Sequence, residues 1–525
     1  MALQFLLSCF VRPGVYSLIV FSVGLLLLLA FGLFFYLFIQ SRMNRHLKLD
    51  LPVLNLVGDN YGQASREWQR NYIKYIEKGY QEFRHGAYQL WGPEGFVTVL
   101  SPDFLGELKN LPDEKLSFYL GAANSVQGKH QFLDFRGHAP IQALKSMMTP
   151  KLKDFMPAIL EELEHGTRTC LPSELDEWHE IHINDTYSKI VGYITGRLFF
   201  GSELGRREDW LQHIIAFPDN VFRAARKIRR TPAPLRLFRI PLLREVQQVI
   251  LTLMKARQLI PPILEKRALL LGEPQDKLES QQDFMQFVLE CSGREENPPS
   301  LNRQAEQLMI IMLAGIHTTN IAGIHMIYDL AAMPEIVGPL RDEINQVWDK
   351  YNGKLTKDSF RDMGKLDSFM KESQRMNPPS YSTFDRIVSS ESGITLSNGL
   401  HLPKGTVITM PSSQVSQDPN VWSNPEEYDA FRFERLRSTS SNKYNYLYAT
   451  STETSLHFGV GRHACPGRWV STIENKTILS YMIRHFDFRL VNPKEGRPKN
   501  LAFGPNISPN ETGRIEVKRI RPHMK

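Results

Sequence analysis

A single cysteine, Cys465, stands in the run Phe458-Gly459-Val460-Gly461-Arg462-His463-Ala464-Cys465-Pro466-Gly467-Arg468, among flexible glycines and just ahead of a helix. Few arrangements constrain a chain as strongly. A loop of this kind can turn backbone N–H groups toward the sulfur, and the N-terminus of the following helix adds positive potential. Both favour a thiolate. Hydrogen bonds to such a sulfur tune its electron donation to a bound metal ion. The same features also suit a buried structural cysteine in a turn, so the loop alone leaves two readings open.

The remaining cysteines, Cys9, Cys170 and Cys291, are widely and irregularly spaced. That pattern does not form a disulfide framework and points to a reducing compartment. Asn184, Asn475, Asn506 and Asn510 begin Asn-x-Ser/Thr triplets, which would go unused in the cytosol. With 42% hydrophobic and 23% charged residues in 525, the chain has the composition of a globular protein. The formal net charge of +7 is mild, and the Arg223–Arg230 cluster is the one dense basic stretch. No nucleic-acid partner is expected from it; an acidic protein or an anionic membrane surface fits as well.

From Pro13 to Ser41 no residue is charged, and Leu25–Leu29 is unbroken leucine. Val15–Ile39 is long enough to cross a hydrocarbon layer of roughly 30 Å as a helix, whereas the apolar part of a cleaved signal peptide usually spans only about 7–15 residues. A retained anchor over residues 1–45 is the expectation. Arg42, Arg45 and Lys48 follow the segment, against Arg12 before it, which places residues 46–525 on the cytosolic side. Pro52 stops any helix continuing outward.

Beyond the anchor, Arg66–Arg84 has helical periodicity. Tyr88–Leu100 reads as a hairpin turning at Gly92-Pro93 and Gly95. Ser300–Met333 is a long apolar helix stopped by Pro334, and Glu335–Tyr351 is amphipathic. Lys365–Met376 is a shorter helix closed by Asn377-Pro378-Pro379. Short strands are expected from Ser380 to Met410, an ordered meander over Gln417–Arg437, and a last helix over Arg468–His485. The body is therefore mainly α with a minor β region.

Three further segments stand in order before the cysteine loop: Ala314-Gly315-Ile316-His317-Thr318-Thr319 midway along the long helix, Glu372-Ser373-Gln374-Arg375, and Tyr428-Asp429-Ala430-Phe431-Arg432-Phe433. Glu372 and Arg375, three apart on a helix, share a face and can pair. Together the four segments resemble the signatures of the cytochrome P450 family. Phe458, Gly461, Cys465 and Gly467 match its haem-binding loop, with His463 where arginine is usual. Tyr428 and Ala430 depart from the family's F-x-P-x-R-F element, but Arg432 is present. His317 replaces the acid that commonly precedes the oxygen-activation threonine.

The resemblance implies a P450 fold with an N-terminal transmembrane helix and a haem b whose iron takes the Cys465 thiolate. It implies a scaffold triad of Glu372, Arg375 and Arg432, with propionate partners at His463, Arg386 and Lys145. Gly315 would leave room for dioxygen, Thr318 would help deliver protons, and His317 could relay them near neutral pH. The implied activity is monooxygenation of a bulky apolar secondary metabolite, terpenoid in type, with electrons from an NADPH-cytochrome P450 reductase at the endoplasmic reticulum membrane. Reductase contacts would fall on Arg462, Arg468, Lys151 or Lys153. Arg223–Arg230 would lie in the pocket roof, near membrane lipid. Substrate contacts are expected from Phe118–Phe132, Phe217–Leu243, Met309–Leu313 and the strand after Pro379. The details of these segments are similar to kaurene-oxidase-like and indole-diterpenoid oxidases of filamentous fungi. A reductase-independent haem–thiolate isomerase or dehydratase, and a non-catalytic haem-binding membrane protein, are the alternatives.

Overall fold

The computed structural model describes residues 47–270 and 282–520 except 59, 173–175 and 233–234, together with 22–28, 30–32 and 34–35. Within the expected anchor, the described residues are helical and exposed, and Phe31 stacks on Phe35. The rest of Val15–Ile39, Cys9 and the flanking Arg12, Arg42 and Arg45 lie outside the described residues.

The body opens with helix α1 (Tyr61–Glu82) and a hairpin of β1 (Ala87–Gly92) and β2 (Gly95–Leu100). Gly92 pairs with Gly95 across the turn, where Gly95 takes φ +128°. Only glycine adopts that conformation without strain, so the turn is written in the sequence. β3 (Leu116–Ser117) leads directly into α2 (Phe118–Ser125), capped by the Ser117 hydroxyl. Beyond these lie α3 (Ile183–Leu204), α4 (Glu208–Arg230) and α5 (Arg244–Ala268).

The central helix α6 (Leu301–Ala332) starts where the Ser300 hydroxyl accepts the Arg303 N–H. Among the described residues, α6 alone is long and apolar enough to cross a membrane, yet most of it is buried inside the protein. Met309, Met312, Leu313 and Ile316 bury fully, and α3, α4 and α5 all pack against it. An apolar helix satisfied on most sides marks the middle of a large core.

Helix α7 (Gly364–Met376) precedes β4 (Thr383–Val388) and β5 (Val407–Met410), which join the hairpin in a five-stranded sheet of order β1-β2-β5-β4-β3. The meander expected to run to Arg437 is shorter than its sequence suggests. Arg432–Thr439 forms helix α8, because Arg432 and Phe433 bury against α7 and nucleate a turn there. The last helix, α9 (Arg468–His485), has the predicted bounds. The result is a mainly helical body with a minor sheet to one side.

Candidate functional site

Cys465 enters the site at the end of a strained loop. Gly459 and Gly461 have φ of +66° and +72°. A Cβ on Gly461 would run into the Lys109 carbonyl and lie 2.8 Å from its carbon, while Arg462 N–H donates to that same carbonyl at 3.1 Å. Glycine is required there by both conformation and space. The Cys465 N–H closes the loop onto the Phe458 carbonyl at 2.7 Å, and the Phe458 ring meets Tyr448 edge-on. Burial pushes the Cys465 thiol up, while the backbone N–H groups of Gly467 and Arg468 and the Arg468 charge pull it down. Such a sulfur becomes a thiolate when a cation sits against it.

A cavity of about 600 Å³ joins this sulfur to α6. Gly315, His317 and Thr318 line it from the helix, and His463, Arg386, Lys145, Arg462 and Cys465 line it from the other side. Thr318 Oγ1 donates to the Ala314 carbonyl one turn back at 2.7 Å. No side chain lies closer than ordinary contact distance to where a Gly315 Cβ would be. The His317 ring stacks on Phe222 of α4 at 4.5 Å. Burial, helped by the nearby Arg226 charge, pushes its pKa down to about 4. At neutral pH this imidazole is uncharged.

The polar groups near the loop are heavily desolvated. Arg386 is buried between the Phe118 and Phe384 rings, and its pKa falls to about 10 through burial. Its Nη1 donates to a backbone carbonyl, that of Asp385, at 2.8 Å. His463 stacks on Phe118 and sits 3.0 Å from Asp113. Asp385 and Asp113 favour the Arg386 charge without pairing with it among the described residues, and a buried guanidinium left so calls for an anion. The donor set therefore fits an iron porphyrin: sulfur for the metal and basic side chains for its carboxylates.

The scaffold cluster lies one layer behind. Glu372 receives both Nε and Nη2 of Arg375 at 2.8 Å, Nε of Arg432 at 3.2 Å and the Asp429 N–H at 2.9 Å. The two guanidinium groups then hold the meander by its carbonyls, those of Ser416, Pro425 and Glu427 for Arg375 and of Ser423, Asn424 and Glu427 for Arg432. The charge is spent on shaping the backbone beneath the cysteine loop.

Other basic residues make contacts of their own within the fold. Arg468, expected on a docking face, donates to the Cys465 carbonyl at 2.7 Å, and Arg462 lines the cavity. In the basic cluster, Arg229 turns inward to the Asn124 and Ser125 carbonyls, Lys227 pairs with Glu245, and Arg223 with Glu511. Sequence reasoning placed Phe222 only within the broad Phe217–Leu243 stretch, and it missed Asp113 and Glu474. Glu474 of α9 lines the cavity, accepts from Thr195 at 2.9 Å, and is raised by burial to about 8. Nothing in the local sequence marks these residues, because their partners come from distant segments.

Comparisons with known proteins agree with this geometry. Residues 54–513 match the family described as Cytochrome P450. The chain is 32% identical over 447 residues to the cytochrome P450 monooxygenase paxP of Penicillium paxilli, covering 85% of each chain. It is 30% identical over 455 residues to the ent-kaurene oxidase of Gibberella intermedia, covering 85% of this chain and 83% of that one. A retinoic acid-bound cyanobacterial CYP120A1 shares the fold at a TM-score of 0.67 and 18% identity, over 90% of this chain and all of that one. The chain belongs to the cytochrome P450 family of haem–thiolate monooxygenases.

Proposed function

We propose that this chain hydroxylates, in one or several rounds, a bulky apolar terpenoid-type metabolite. Residues 1–45 would anchor it in the endoplasmic reticulum membrane as a single pass, and residues 46–525 would form the cytosolic catalytic domain. An NADPH-cytochrome P450 reductase would deliver two electrons per turnover. One oxygen atom of O₂ then enters a C–H bond and the other leaves as water with two protons. The observation that carries this reading is that Cys465 and Thr318 line one largely apolar cavity. The terpenoid assignment draws on the similarity to a relative named ent-kaurene oxidase.

Bound haem would supply the oxygen-activating redox chemistry, with its iron held by a cysteine thiolate. Cys465 is assigned as the iron ligand, oriented by the Gly467 and Arg468 N–H groups. Arg386, His463 and Lys145 are assigned to the porphyrin carboxylates. Gly315 keeps the wall of α6 open where dioxygen must fit. Thr318 holds a proton on Oγ1, parked on the Ala314 carbonyl, from which a small rotation turns it to the cavity. His317, uncharged and stacked on Phe222, lines the same cavity.

Two measurements test the reading. Cys465→Ser should abolish the red-shifted ferrous–CO band, and an unchanged band would remove Cys465 as ligand. Microsomes carrying the protein, offered terpenoid precursors, should yield oxygenated products only with both reductase and NADPH. Isomeric or dehydrated products without reductase would establish the rearrangement activity instead.

A further inference from the structure

Several basic side chains line the cavity, Arg136 and Arg223 among them. Arg386, Arg462, Lys145 and His463 stand around the cysteine loop, where the proposed porphyrin carboxylates account for them. Arg226 stands elsewhere, on the roof helix α4, one turn beyond Phe222, whose ring stacks on His317. Its guanidinium lies 5.9 Å from the centre of the Phe503 ring. Among the described residues, no hydrogen bond or ion pair is recorded to it. The nearest acids are already engaged: Arg223 lies 3.7 Å from Asp219 and 3.3 Å from Glu511. Burial and the Arg223 and Arg230 charges work against its protonated form, and Glu511 and Asp219 offset them only in part.

A half-buried cation that faces a cavity, with Asp219 and Glu511 near it but bridged to Arg223 rather than to it, is costly unless something that enters the cavity pairs with it. A wholly hydrocarbon ligand would leave it desolvated and unpaired. A carboxylate would accept two parallel N–H bonds from the guanidinium fork. Ile310, Ile311, Ile321 and Ala322 line the same cavity and would take the apolar skeleton.

Resting on the proposed monooxygenase reading, we propose that Arg226 anchors a carboxylate carried by the substrate, so that the preferred ligand is a polycyclic apolar acid rather than a neutral hydrocarbon. Pinning that pole at the roof leaves the far end of the skeleton to meet the reaction centre, making Arg226 a specificity-determining residue.

The test is a spectral titration of the haem-loaded full chain in lipid nanodiscs, following the Soret shift as ligand displaces water from the iron. Abietic acid and abietadiene, the same skeleton with and without the carboxyl group, are the probes. The acid should bind more tightly than the hydrocarbon. Arg226→Gln should weaken the acid by about 10- to 100-fold and leave the hydrocarbon unmoved, while Arg226→Lys should recover part of the loss. Equal affinity of the parent for both probes, no shift with the acid, or equal weakening of both by Arg226→Gln would overturn the assignment. The ferrous–CO band is recorded on every sample. Its loss in the parent would fail the haem–thiolate reading itself, whereas an intact band with charge-blind binding fails only the Arg226 anchor.

Discussion

Glu372 and Arg375, three residues apart on α7, meet through two parallel hydrogen bonds of 2.8 Å with both side chains almost wholly withdrawn from solvent. The carboxylate is shared, since Arg432 reaches the same oxygen at 3.2 Å. Removing it strands two buried guanidinium groups. Glu372→Ala is expected to cost about 3–5 kcal/mol and to loosen the meander these arginines hold. Thermal unfolding together with haem content per chain checks this. A variant with normal haem content and melting temperature would mean the cluster is not a scaffold.

Gly461 is fixed by the Lys109 carbonyl pressed against it and by its positive φ. Gly461→Ala should cost about 1–3 kcal/mol through backbone strain and displace the loop that carries Cys465. The expected signature is faster haem loss to an acceptor protein and a weakened ferrous–CO band. Gly58, also at positive φ but with nothing nearby, is the control: alanine there should leave the band unchanged.

His317 and Thr318 are neighbours on α6 with different duties. Because His317 titrates near 4 in the folded protein, it cannot gain or lose charge across neutral pH. The pH profile of turnover between about 6 and 8 should show no inflection from it, and His317→Gln should keep the profile's shape. Thr318→Ala should instead uncouple NADPH use from product formation. An inflection near 6.5 that disappears in His317→Gln would restore the imidazole as a proton relay.

Glu474 provides a stability measurement with a definite sign. Its carboxyl titrates near 8 when folded against an ordinary 4.5, because burial disfavours the charged form and, among the described residues, only the Thr195 hydroxyl donates a hydrogen bond to it. Between those values the folded state keeps a proton that the unfolded state releases, so stability falls as pH rises, by at most about 1.4 kcal/mol per pH unit. Glu474→Gln removes the titration. Relative to the parent, its melting temperature should improve from about pH 5.5 to about pH 7.5. The opposite trend would show a carboxylate paired and charged in the folded protein.

The sequence by itself determined the class. Local chemistry wrote the Cys465 loop, the Glu372/Arg375 spacing, the glycine turn of the first hairpin and the bounds of α6 and α9. Each depends on residues only a few positions apart, where backbone geometry and helical period dictate the outcome. Family order of the motifs then joined them into one site. Only the tertiary structure decided what surrounds each group. Asp113 lies 3.0 Å from His463 although far from it in sequence. Phe222 and Arg226 descend from the roof helix to hold His317 uncharged. Thr195 faces Glu474 across the core. Arg468 and Arg229, surface charges by composition, turn inward to backbone carbonyls. Desolvation and pairing depend on which distant segments come together, and a one-dimensional pattern carries no measure of that distance.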